Sequence, residues 1–345
     1  ELWRADDPKR YLNEIATMGC RTRVFENLNG PKTSVGRGNL SFTTMNLPRL
    51  AIEATIEAGR ELPEGTEQER RQRSKELFLS SVREVARFIA EQLYERYLYQ
   101  RSALARQFPF MMGNDVWKGG GKLSPQEEVG DVFNSGTLGI GFLGGHNAMV
   151  AIYGEGHGRN QEAWDTLYEA IQVMNEVVKE YKEKYKLNYS VLATPAEGLS
   201  GRFTRMDRKR YGIIPGVNDL DYYVNSFHVD VKEEIGMFEK IRREAPFHAI
   251  TLGGHISYIE LDGEAKKNVS VILKLVKTMK DEGIGYGSIN HPVDTCRAVA
   301  TEGLSMTDAP CVRVIISLDS GVSRATSQVV WRAGTQPSKQ RNVTG

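Results

Sequence analysis

"TLGIGFLGG", residues 137–145, is short, apolar and bounded by glycine, and it reads as a buried strand. Outward from it, strands and helices alternate. Residues 161–184 carry a strong helical period, and "YSVLATP" (189–195) is a strand that ends in a loop. Upstream, "PRLAIEATIEAG" (48–59) is a helix with Pro48 in its first turn and Gly59 to stop it. Residues 66–107 form a long helical pattern with Leu77, Val82, Val85, Phe88, Ile89, Leu93 and Tyr97 as its buried stripe, and the "RQRSKE" charges read as a solvated face. In "LSPQEEVGDVF" (123–133), Ser124, Pro125 and Glu127 spell a capping box at a helix start. Downstream, 222–229, 248–255 and 284–290 read as strands, with a helix over 263–283. Residues 10–17 read as a helix end, and 18–46 as loops and short strands. The alternation predicts an α/β fold with much of its sheet buried, and no internal repeat is present.

The chain has 345 residues, enough for one large domain or two ordinary ones. A net charge of +1 gives no bulk electrostatic argument for nucleic acid or a membrane surface. No apolar run is long enough to span a bilayer, and no signal peptide is visible. Cysteines at 20, 296 and 311 make no disulfide framework, so a reducing cytoplasm is expected. The opening "ELWRADDPKRYLNEIATMGC" lacks Met and reads as the interior of a domain, so the chain is expected to be a fragment.

Chemistry concentrates in a few stretches. In "MGCRTRV" (18–24) the cysteine stands between a glycine and an arginine. A lone cysteine is by default a small buried hydrophobe, but Gly19, Arg21 and Arg23 make the apolar context of Cys20 thin and point to sulfur chemistry at a loop tip. "GRGNLSFTTMNLPRL" (36–50) has two glycines around Arg37 but neither a P-loop nor a dinucleotide fingerprint, and alone it reads as a turn. "ATPAEGLSGRF" (193–203) follows a strand and offers the Thr194 hydroxyl, the Glu197 carboxylate and backbone N–H groups near Gly198; strand-end loops are where α/β proteins hold ligands. The six histidines show no metal-ligand spacing, and His228 and His255 read as satisfied core residues in apolar strands.

Taken together, "MGCRTRV", "GRGNLSFTTMNLPRLAIE", "ATPAEGLSGRF", "DYYVNSFHVDV", "TLGGHISYIEL" and "GYGSINHPVD" resemble the anaerobic (class III) ribonucleotide reductases, which are glycyl-radical enzymes. The motifs run in family order over roughly residues 10–296. The resemblance implies part of a ten-stranded α/β barrel over 1–296, with Cys20 on a central finger loop where it becomes a thiyl radical. It implies Asn39 beside the ribose hydroxyls, Glu197 as an active-site carboxylate, and substrate contacts from Thr194, Ala196 and Gly198, all around one cavity with Cys20. It further implies a ribonucleoside triphosphate substrate, dNTP and ATP effectors bound by an N-terminal region missing here, a homodimer, and a separate activase that uses S-adenosylmethionine and an iron–sulfur cluster. Neither nucleic acid nor a membrane is an expected partner. Two other readings stay open: another glycyl-radical enzyme of the pyruvate formate-lyase kind, disfavoured by the single finger-loop cysteine, and a non-catalytic nucleotide-binding remnant of the barrel.

The family's C-terminal zinc site and Arg-x-x-Gly-Tyr radical motif do not follow Cys296, which would be one zinc ligand. Residues 297–345 have no clear period. They are expected to be that C-terminus read in a shifted frame: codons spanning 298–299 and 308–309 permit cysteine, and the codon spanning 324–325 permits the radical glycine.

Overall fold

The computed structural model describes residues 16–19, 21–24, 26–261, 268–290, 295–296 and 301–302. Its centre is a parallel sheet in the order β3 (Asn39–Asn46), β4 (Thr137–Leu143), β5 (Asn188–Ala193). Asn39 pairs with Thr137 and Thr137 with Asn188 at one end, while Met45 pairs with Phe142 and Phe142 with Ala193 at the other. Every residue of β4 is buried. Leu138, Ile140 and Phe142 enter the main core, so the alternating Gly139 and Gly141 turn to the other face. A methyl group at Gly141 would overlap the Thr194 hydroxyl, so glycine there permits the end of β5 to close in.

Parallel strands need long crossovers, and here these are helices. The Asn46 side chain caps α1 (Leu47–Glu61) by accepting from Arg49 N at 3.2 Å, with Pro48 in the first turn. Gly59 does not stop this helix. Thr66 and Glu69 form a capping box for α2 (Glu67–Arg101), which ends before the predicted 107. Its buried stripe runs through Phe78, Val82, Ala86, Ile89, Leu93 and Tyr97, whereas Phe88 is 63% exposed, contrary to expectation. α3 (Pro109–Gly113) is a single short turn. Residues 123–133 form no α-helix: Ser124 N donates to Glu127 Oε2 at 2.6 Å, but the chain continues as turns into a 3₁₀ segment, Gly130–Ser135.

α4 (Gly145–Tyr153) follows β4, and α5 (Gln161–Tyr185), capped by Asn160, leads into β5. α2 and α5 lie parallel, joined by Lys75–Glu169, Arg83–Glu176, Arg87–Glu180 and Glu91–Lys184. The loop expected after β5 becomes α6 (Glu197–Tyr211) within three residues. Residues 222–229 are irregular rather than a strand, because their carbonyls serve the start of α4: Gly144 N donates to Val224 O and Gly145 N to Ser226 O. α7 (Met237–Ile250) takes the first three residues of the predicted 248–255 strand and the rest is turn; the strand is β6 (Ser257–Glu260), which pairs in parallel with β7 (Gly287–Asn290) across α8 (Val269–Glu282). β8 (Thr295–Cys296) and β9 (Thr301–Glu302) form a short antiparallel pair.

At the front of the chain, β1 (Ala16–Met18) pairs antiparallel with β2 (Thr22–Val24), so Ala16 and Thr17 are strand, not helix end. No described helix is long and apolar enough to cross a membrane.

Candidate functional site

The hairpin β1–β2 is held one segment away from β5. Gly253 N donates to Val191 O at 2.8 Å and Ala193 N to Gly254 O at 2.9 Å, while Arg23 N donates to Gly253 O at 2.8 Å. Thr22 and Leu192 both bridge to Gly254. These glycines are required. Gly254 has φ +142, and a side chain there would overlap the Arg21 carbonyl; at Gly253 a methyl would lie 2.8 Å from Val191 O. Cys20 itself lies outside the described residues. Its neighbours Arg21 and Arg23 are buried despite their charge, at 1% and 9% exposure, so charge beside the cysteine does not mean a solvated loop here. Arg21 Nη1 lies 3.5 Å from Ser226 Oγ, and its guanidinium stands 5.8 Å from the Tyr258 ring.

Thr194, Ala196, Glu197 and Gly198 sit at the same end of β5. Thr194 is buried and accepts from Thr44 Oγ1 at 3.1 Å. Glu197 and Gly198 are exposed in the first turn of α6, where a carboxylate is favoured by the helix dipole. A methyl on Gly198 would meet nothing within 4 Å, so space lies open beside it. Asn39 is not brought to this end. It opens β3, its amide donates to Thr137 Oγ1 at 3.0 Å, and the β4 register puts about five residues, ~17 Å, between its row and that of Ala193. Arg37 is structural: its guanidinium donates to Ser135 O, Thr33 O and Glu26 O at 2.8, 2.9 and 2.7 Å, and burial brings its pKa down to about 10.

Sequence reasoning missed the polar scaffold under this end. Asp207 on α6 is fully buried and accepts from Asn46 Nδ2 at 2.8 Å, Arg49 Nε at 2.7 Å and the Tyr223 hydroxyl at 2.9 Å. It ties α6 to the end of β3 and to the irregular 222–229 segment, partners too distant in sequence for any local signal. His228 Nε2 meets Ile256 O at 2.8 Å, and burial holds this histidine well below its ordinary pKa. His255 is lowered to about 4 by burial first and then by the Arg23 charge. Both are buried as expected, though neither lies in a strand, and only His255 is satisfied at both ring nitrogens, His228 Nδ1 being buried without a partner among the described residues. Among the described residues, no group of three His, Cys, Asp or Glu side chains is arranged to hold a metal. Cys296 is in β8, and its side chain lies outside the described residues.

The family model described as anaerobic ribonucleoside-triphosphate reductase matches residues 3–313. The chain belongs to that family. The reductase of Enterobacteria phage T4 is 34% identical over 286 residues, covering 82% of this chain and 43% of the phage protein. That of Escherichia coli K12 is 30% identical over 287 residues, covering 81% of this chain and 37% of the bacterial protein. The chain therefore spans less than half the length of these reductases. The structure of the Thermotoga maritima anaerobic reductase in complex with dATP and CTP superposes with a TM-score of 0.55 at 16% identity, covering 81% of this chain and 40% of that one. Another anaerobic ribonucleotide reductase superposes with a TM-score of 0.57 at 18% identity, over 80% of this chain and 38% of its own. At such identities the likeness is one of fold, and it makes the mixed α/β architecture that of this reductase family.

Proposed function

We propose that this chain is the part of an anaerobic ribonucleoside-triphosphate reductase that carries the reacting cysteine, and that Cys20 is the residue that becomes a thiyl radical. The observation that carries the reading is the hairpin flanking residue 20, joined through residues 253–254 to the carboxyl end of β5, the strand that leads into Thr194–Gly198. In this reading residues 1–296 are part of a ten-stranded barrel, β3, β4 and β5 are among its strands, and the hairpin is its finger loop. The enzyme works in the cytoplasm as a homodimer on ribonucleoside triphosphates under dNTP and ATP control.

The sulfur radical takes the hydrogen of the ribose 3′ carbon, forming S–H and leaving a carbon radical. The 2′ hydroxyl then leaves as water once protonated. A reductant supplies two electrons and a proton before the sulfur returns its hydrogen. Glu197, exposed at the start of α6, exchanges protons with the sugar. The Thr194 hydroxyl and the backbone at Ala196 and Gly198 hold the substrate. Asn39 enters on its motif alone, as a ligand of the ribose hydroxyls. A glycyl radical, generated by an activase using S-adenosylmethionine and an iron–sulfur cluster, would supply the one-electron oxidation; apart from Thr301 and Glu302, the tail of residues 297–345 lies outside the described residues, as does the side chain of the zinc candidate Cys296.

The test is Cys20→Ser in the complete, activated reductase. A serine O–H is too strong a bond to exchange hydrogen with a glycyl radical, so deoxynucleotide formation should vanish while the glycyl signal persists. Normal yield from the serine variant refutes the assignment.

A further inference from the structure

β2 carries a side-chain contact that its backbone pairing does not require. Arg23 Nη1 donates to His255 Nε2 at 2.8 Å, deep in the protein. Because Nε2 accepts, the ring proton sits on Nδ1, which donates to the Thr251 carbonyl at 2.9 Å. The Thr251 hydroxyl in turn donates to Phe247 O at 2.8 Å, in the last turn of α7. The neighbouring His248, with ring centroids 4.2 Å apart, is fixed on both sides, accepting from Gly285 N at 3.1 Å and meeting Ser257 Oγ at 2.9 Å. A rigid line of hydrogen bonds thus runs from the hairpin into α7, beside the contact between Arg23 N and Gly253 O.

Backbone pairing alone repeats every two residues, so a short strand held by it can slip by two without turning its faces over. Such a slip moves the chain about 7 Å. Hydrogen transfer needs its atoms within about 3–3.5 Å. A specific side-chain contact removes the ambiguity, because only one register puts a guanidinium against the fixed imidazole.

We propose that Arg23 and His255 are positioning residues that set the register of the β1–β2 hairpin on residues 252–254, and through it the reach of residue 20. The inference rests on the proposed role of Cys20 for its catalytic consequence, but not for the latch itself.

Two arms test it. In the 345-residue chain, amide hydrogen exchange is followed in residues 16–24 and, as a folding control, in α5. Arg23→Met and His255→Leu should speed exchange at 21–24 at least tenfold and leave α5 unchanged. His255→Gln, whose side-chain oxygen takes the place of Nε2, should restore most of the protection, as should Arg23→Lys. In the complete activated reductase, the first two variants should lower kcat at least tenfold with KM and glycyl radical amplitude unchanged, and His255→Gln should recover kcat. Unchanged hairpin exchange in Arg23→Met and His255→Leu overturns the latch. Faster exchange with unchanged kcat overturns the positioning role. Should Cys20→Ser keep its activity, the functional reading falls, while the exchange arm still decides the latch.

Discussion

Replacing Asp207 with alanine should be among the most damaging single changes outside the apolar core. The carboxylate is fully buried and accepts from Asn46, Arg49 and Tyr223. Its removal leaves a cation, an amide and a hydroxyl without their acceptor. Breaking a buried ion pair from one side costs about 3–5 kcal/mol. The Arg49 side chain is 25% exposed and water can reach it, which favours the lower end, about 3 kcal/mol. At about 1.4 kcal/mol per decade that is roughly a hundredfold rise in the unfolded fraction. At about 2 °C per kcal/mol it lowers Tm by about 6 °C. Asp207→Asn keeps the shape and some acceptor capacity, so it should cost less, about 2 kcal/mol. Urea titration followed by circular dichroism measures both, in low salt and in 0.5 M salt. A buried pair is little screened, so the loss should not shrink with salt. A cost below about 1 kcal/mol for alanine, or one that disappears in salt, would show that Asp207 does not anchor α6.

Other outcomes follow from the same geometry. Arg37→Lys replaces three donor nitrogens in a fixed planar fork by a single ammonium nitrogen, so it should cost about 3 kcal/mol by urea titration; a cost under about 1 would mean the loop does not depend on the clamp. Burial raises Glu233 to about 7, so the folded state holds a proton that the unfolded chain has released, and this group's contribution to stability falls as pH rises from about 4.5 to about 7. Glu233→Gln should remove that decline, and pH-dependent melting with the decline intact would contradict it; His146, whose Nδ1 lies 3.5 Å from Glu233 Oε1 and whose pKa burial lowers, slopes the opposite way. The coding DNA decides the nature of residues 297–345: the codons spanning 298–299, 308–309 and 324–325 should read Cys, Cys and Gly in the shifted frame, and any other triplets reject the idea.

The elements legible in the sequence were those whose burial is apolar and periodic. β4, β5, α1, α2 and α5 bury leucine, isoleucine, valine and alanine at strand or helix spacing. α6 was read as a loop because the residues it buries are Ser200, Thr204 and Asp207, which leave no apolar stripe. α7 carries Pro246 inside it, which argues against a helix from sequence alone. Residues 222–229 have strand-like composition, yet their backbone is spent on the glycines that open α4. At the site, motif order pointed to the hairpin and the 193–203 stretch. The contacts between them run through Gly254, far along the chain, and only folding reveals them.

That long reach shapes how the protein is made. Thr22 finds its bridge at Gly254, and Arg23 its imidazole at position 255. Translation at about 5–20 residues per second puts on the order of 10–50 s between the two ends of that contact. The stretch around Cys20 is therefore synthesised well before the segment that seats it. For that interval the hairpin is nascent chain without a dock, open to chaperones, proteases and oxidants. A change that weakens the 251–255 segment would be felt first as lost yield during synthesis, before any defect in the finished molecule could be measured.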